Sequence, residues 1–184
     1  MKLVLVALVL LLLIGLLEVL LRLLFGFGSP LIYKADPDIG YLLVPNQKVR
    51  RFGNQIEINE YSMRSHSIVT DRPDSTLRVL MIGDSIVNGG WWTDQKHILS
   101  AMVAKQIIAK QGGSPSSTIE VLNASANSWS PRNELAYLKR FGLFASQMVV
   151  LVINTDDLFA TAPTPLPVGQ RSQLSRSPPS PGTG

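Results

Sequence analysis

Apolar residues run almost unbroken from Leu3 to Phe25, interrupted by Gly15, Glu18 and Arg22. Wound as a helix, this stretch is about 34 Å long, enough to cross the hydrocarbon core of a bilayer. Glu18 and Arg22 stand four residues apart near one end, where they can pair and reach the interface. A cleaved signal peptide is the alternative, because Leu3 to Leu17 alone has the length of its apolar region. Against cleavage, the apolar pattern continues past Glu18, and the small-x-small site is Gly26-Phe27-Gly28. The pattern therefore predicts a transmembrane signal anchor over 1–28, with the lipid bilayer as partner of residues 3–25. Positive charge is nearly balanced across it, so orientation follows the default for such anchors. The chain is expected to be single-pass, its C-terminal domain exported to a periplasmic or extracytoplasmic space.

Residues 29–75 read as a polar, turn-rich lead-in. Two short β runs, Lys48 to Phe52 and Gln55 to Asn59, flank Gly53-Asn54, which suits a type II′ hairpin with glycine first. Beyond Arg72-Pro73-Asp74 the pattern alternates. Leu77 to Ile82 is a buried-type strand. Thr93 can cap a helix to about Lys110 whose apolar face carries Ile98, Leu99, Met102, Val103, Ile107 and Ile108. Gly112-Gly113-Ser114-Pro115 stops it, and Thr118 to Leu122 is the next strand. Ser130, with Pro131 at the first helical position, opens a second helix to Phe141, and Gly142 ends it. Met148 to Ile153 is a third strand, apolar on both faces. The alternation predicts an α/β fold with a parallel sheet between helix layers. A strand without a polar face expects neighbours, yet no further element can be read after Phe159. From Gln170 the chain becomes QRSQLSRSPPSPGTG, a disordered tail by composition (166–184). It reads either as a natural tail or, the favoured expectation, as foreign sequence after a truncated or shifted reading frame.

Composition changes this picture little. The formal net charge is +4, and no Lys/Arg run is interleaved with aromatics, which argues against nucleic acid as a partner. Cysteine is absent, which excludes disulfides, thiol nucleophiles and thiolate metal sites.

Candidate chemistry gathers at the carboxyl ends of the three strands, where open α/β sheets hold ligands. Gly83-Asp84-Ser85 follows the first, Asn123 to Ser130 the second, and Asn154-Thr155-Asp156-Asp157 the third. A serine just past a buried strand can present its hydroxyl while its own N–H points at an oxyanion. Gly83-Asp84-Ser85-Ile86-Val87-Asn88-Gly89 resembles the first block of SGNH (GDSL-type) serine hydrolases, G-D-S-[LI]-x-x-G. The lead-in is similar to that of membrane-anchored members: Asp38-x-Gly40-Tyr41, Leu43-x-Pro45-Asn46, then Ile58-Asn59-Glu60-Tyr61-Ser62-Met63-Arg64. The resemblance covers roughly residues 30 to 165. It implies a flavodoxin-like three-layer α/β sheet, incomplete over 76–165, and an acyl or acetyl esterase acting on acylated or acetylated envelope glycans or lipids. It makes Ser85 the catalytic nucleophile, with Ser85, Ser128, Asn154 and Asp156 at the oxyanion-hole positions. No cofactor or metal is implied.

Three departures from the family pattern follow. Ser128 stands where the second block has glycine, a mild change if the backbone there does not need positive φ. Asp156 occupies the asparagine position of G-x-N-D. A carboxylate about 4 Å from a developing oxyanion costs about 4 kcal/mol at an effective dielectric near 20, roughly a thousandfold in rate. Asn154 or Asn127 would then have to serve as donor. The third departure is the base: no D-x-x-H follows Asp157, and the two histidines are His66 and His97. Without a base serine is a weak nucleophile, so the chain as given is expected to be nearly inactive. The alternatives are a non-catalytic membrane-tethered module and a phosphate or nucleotide binder, the latter disfavoured because Asp84 would repel phosphate. Asp156 and Asp157 alone are too few ligands for a divalent cation.

Overall fold

The structure is a computed structural model and describes residues 2–110 and 118–166. The expected helix stop at 112–115 and all of the expected tail except Leu166 lie outside the described residues. The first element, α1 (Lys2–Phe25), is apolar on every side and packs no residue into the protein. Its 24 residues make it long and apolar enough to cross a membrane.

The lead-in holds two antiparallel hairpins. Between β1 (Tyr33–Asp36) and β2 (Gly40–Leu43), Asp36 Oδ1 accepts the N–H groups of Asp38 and Ile39, an Asx turn that reverses the chain. The sequence pattern predicted no strands here. The second hairpin was expected, but its turn sits one residue earlier. β3 (Gln47–Arg51) and β4 (Asn54–Ile58) pair Arg51 with Asn54. Phe52 and Gly53 form the turn, with φ of 46° and 82°. Two positive φ values make this a type I′ turn, which matches strand twist and takes glycine at its second position.

The α/β body begins with β5 (Thr76–Gly83), followed by α2 (Ser85–Asn88), α3 (Leu99–Lys110), β6 (Thr118–Ser125), α4 (Pro131–Phe141) and β7 (Met148–Val152). The three strands are parallel in the order β6-β5-β7. Central β5 sends Leu80 and Ile82 to one face, where Tyr137 of α4 packs with Ile39, Tyr41, Leu42 and Met63 of the lead-in. Val79 and Met81 go to the other face, with Val87 of α2 and Leu99 and Val103 of α3. The result is a three-layer α/β arrangement whose first core is shared with the lead-in. Ser130, Pro131 and Gly142 bound α4 as the sequence predicts. α3 starts later than expected. Asp94, not Thr93, caps a 3₁₀ turn over Gln95–His97, because its carboxylate accepts the N–H groups of Lys96 and of Gln55 on the hairpin. Met102 and Ile108, expected on the buried face of α3, are about half exposed. Beyond β7, Asn133 of α4 brackets the chain through Thr164, donating to its carbonyl and accepting its N–H at 2.8 Å each.

Candidate active site

β5 ends at Gly83, and close approach requires glycine there. A Cβ on it would stand 2.6 Å from Val87 Cγ2 and 2.9 Å from the Val152 carbonyl. The next residue, Asp84, is buried, and its Oδ1 accepts the Ile86 N–H at 2.8 Å, which starts α2 with Ser85 as first residue. Ser85 is half-buried at the carboxyl end of the central strand. Two buried asparagines fasten α2 to β6: Asn88 Nδ2 donates to the Ser125 carbonyl at 3.0 Å, and Asn123 Nδ2 to the Val87 carbonyl at 2.7 Å.

The loop that follows α2 is held from the lead-in. Arg64 is 1% exposed, and its guanidinium donates to the carbonyls of Asn88 (2.7 Å), Gly90 (2.5 Å) and Thr93 (2.5 Å) and to Gln95 Oε1 (3.2 Å). Burial lowers its pKa to about 10, so it stays cationic at neutral pH. The turn that delivers it is built by Asn59, whose Oδ1 accepts the N–H groups of Tyr61 and Met63 at 3.0 Å each. Sequence reading singled out Ile58-to-Arg64 as a motif without assigning it work. The structure assigns it the clamp on residues 88–93.

The sheet register pairs Gly83 with Ser125 and with Val152, so the loops after all three strands share one rim. Ser128 is exposed with φ of 65°. Its position does demand the left-handed region, so serine in place of glycine is a strained choice rather than a mild one. The carbonyl of neighbouring Asn127 accepts the Tyr41 hydroxyl. Across the rim, Asn154 Nδ2 donates to Asp84 Oδ2 at 2.6 Å, while Asn154 Oδ1 accepts the Asp156 N–H at 2.7 Å. Asp157 is buried and its Oδ2 accepts the Asn154 N–H at 2.7 Å. Asp156 is exposed. The structure thus joins Asn154 to the Ser85 turn through Asp84 and leaves Asp156 at the solvent side.

One residue of this region was not singled out from sequence. Glu134, in the first turn of α4, is 1% exposed, and neither carboxylate oxygen has a hydrogen-bond partner among the described residues. Burial first, then the charges of Asp157 and Asp84, push its pKa up to about 7. Its carboxyl keeps its proton to a higher pH than an ordinary glutamate does. An acid four positions after a cap is ordinary in sequence, and only the tertiary burial makes this one unusual.

The histidines stand elsewhere. His66 Nδ1 lies 2.6 Å from Glu57 Oε2 on the hairpin, and His97 is exposed in the 3₁₀ turn. Among the described residues no hydrogen bond joins either to Ser85, and no group of three or more His, Asp or Glu has an arrangement that could hold a metal ion. An open groove of about 1230 Å³ lies along the hairpin, α3 and β6. Arg64, Asp94 and Ser100 line it, and neither Ser85 nor the rim residues do. No family model, curated protein or solved structure matches the chain.

Proposed function

We propose that this chain is a membrane-tethered ester-hydrolase domain of the SGNH type, in which Ser85 is the acyl-accepting nucleophile. The observation that carries the reading is the placement of Ser85. It follows the central parallel strand directly, at the carboxyl-end rim between β5 and β7, where chain order reverses and doubly wound sheets hold their ligands. The G-D-S-I-x-x-G run around it supports the same assignment. With α1 as a single-pass anchor, the domain is exported and meets acylated or acetylated envelope glycans or lipids. The oxyanion donors in this reading are the N–H groups of Ser85 and Ser128. Asn154 acts on Asp84, whose carboxylate holds the turn that presents the serine.

Neither histidine of the 184 residues is bonded to Ser85, so the serine is a slow nucleophile and supplied imidazole is a chemical stand-in for its base. The 184-residue chain in detergent should show no p-nitrophenyl ester hydrolysis above a Ser85→Ala control. Labelling by a fluorophosphonate probe should be slow, should accelerate on adding imidazole, and should vanish in Ser85→Ala. Labelling that persists in the alanine variant would assign the wrong serine. A second reading, a non-catalytic tethered module, is favoured by one observation: the Asn154 amide is already committed to Asp84 and is not offered to an oxyanion. Imidazole without effect on labelling would support that reading.

A further inference from the structure

The end of α1 does not lead into a loose linker. Gly26 has φ of 71°, and a Cβ there would overlap the carbonyl of Arg50 on the β3–β4 hairpin. The Gly53 N–H of the hairpin turn donates to the Phe25 carbonyl at 3.2 Å, so the turn is bonded to the last residue of α1.

Around this junction four aromatic rings from three separate parts of the sequence form a chain. Phe27 meets Phe52 edge-on at 5.3 Å, Phe52 meets Trp91 at 5.0 Å, and Trp91 meets Trp92 edge-on at 5.4 Å. The Arg51 guanidinium lies over the Phe52 and Trp91 rings at 5.0 and 5.7 Å. Yet this cluster is no core. Phe27, Phe52, Trp91 and Trp92 remain 44%, 45%, 41% and 58% exposed, and Arg50 beside them is exposed too. Phe52 even holds positive φ at the tip of its turn. Exposed tryptophans joined to arginines, continuous with the end of an apolar helix, match the amphipathic layer of a bilayer surface. There, indole N–H groups and ring edges meet acyl carbonyls, and guanidinium groups meet anionic phosphates.

We infer that Phe27, Phe52, Trp91 and Trp92, with Arg50 and Arg51, form a membrane-interface seat that docks the α/β domain on an anionic bilayer surface. The seat is distinct from the spanning helix: Trp91 and Trp92 lie more than sixty residues after it and reach it through the hairpin. It also orients the candidate site. Trp91 follows Ser85 by six residues, so chain reach keeps the two within about 21 Å. That limits how far Ser85 can stand from the headgroup layer and points to an ester borne by a lipid of the same bilayer. This last step rests on Ser85 being the nucleophile, whereas the seat itself does not.

The test is tryptophan quenching with the full-length protein reconstituted in vesicles of phosphatidylethanolamine and phosphatidylglycerol, with and without lipids brominated near the carbonyl end of their chains. The protein has three tryptophans, and the third, Trp129, is buried. The wild type should lose the larger share of its emission to brominated lipid. A Trp91→Phe/Trp92→Phe variant, which keeps the ring packing, should emit from Trp129 alone and lose little. If wild-type emission is indifferent to brominated lipid while aqueous acrylamide quenches it, the face looks into water and the seat is wrong. Fluorophosphonate labelling of Ser85 in the same vesicles reports separately on the nucleophile, so either idea can fail alone.

Discussion

The two edge strands of the three-stranded sheet are treated against their composition: β6, half of it polar, is buried over its carboxyl half, whereas wholly apolar β7 is largely exposed. At β6 the lead-in closes the edge: Asn123 donates its N–H to Ser65 Oγ and accepts the Arg64 N–H at its carbonyl, both at 2.9 Å. At β7 the outer side is open among the described residues, and Met148, Val149 and Leu151 are 56%, 41% and 55% exposed. Apolar composition therefore does not decide which edge is interior. What decides it is whether another segment brings the hydrogen-bonding groups that an edge requires. The segment that looked polar and peripheral supplies them, and its Asn59, Ser65 and Arg64 are buried because their polar atoms are used.

The largest expected effect breaks the closed side. Arg64→Ala leaves three loop carbonyls without their donor, and the full-length protein in detergent should lose about 4 kcal/mol or more in urea unfolding. A loss under about 1 kcal/mol would mean that the clamp holds nothing. Next comes a leucine on the central strand against one on the open edge. Leu80→Ala, at a fully buried position, should cost about 3 kcal/mol. Leu151→Ala should cost under about 1 kcal/mol while lowering self-association in light scattering. Equal costs would show that β7 is covered in solution.

A pH series sharpens the picture around α4. The Glu134 carboxyl titrates near 7 when folded against an ordinary 4.5. Between those values the folded state binds the extra proton, so stability is present at low pH and falls as pH rises through about 7. The wild type should lose on the order of 2 kcal/mol between about pH 5 and 8, and Glu134→Gln should flatten the slope. A Gln variant with an unchanged slope would locate the titration elsewhere. The smallest effect belongs to Ser128→Gly, which relieves a left-handed serine and should add about 1 kcal/mol. Destabilisation there would mean that the serine side chain supports the loop.

These expectations mark where sequence pattern stops being informative. Apolar runs located β5 and β7 and, from Thr118 to Leu122, all but the last three residues of β6, and a Ser-Pro start with a Gly stop located α4, because those signals are local. The hairpin β1–β2 escaped notice because its strands are four residues long and its apolar residues are buried by α4 and β5 from elsewhere in the chain. The cap moved from Thr93 to Asp94 for a similar reason. The Thr93 carbonyl is taken by Arg64, and the hairpin amide of Gln55 selects the aspartate. At the rim, the G-D-S run marked the end of β5 and the start of α2, but the bond of Asn154 to Asp84 and the isolation of Glu134 depend on three segments meeting, which no spacing encodes.

The lead-in builds the loop that follows Ser85. Hydrogen exchange in Arg64→Lys tests this most directly, because lysine keeps the charge but cannot span three carbonyls from one planar group. The amides of residues 86–93 should exchange at least about tenfold faster than in the wild type, a loss of about 1.4 kcal/mol of local protection, while those of β5 stay unchanged. Unchanged exchange across 86–93 would mean that Arg64 does not hold this loop.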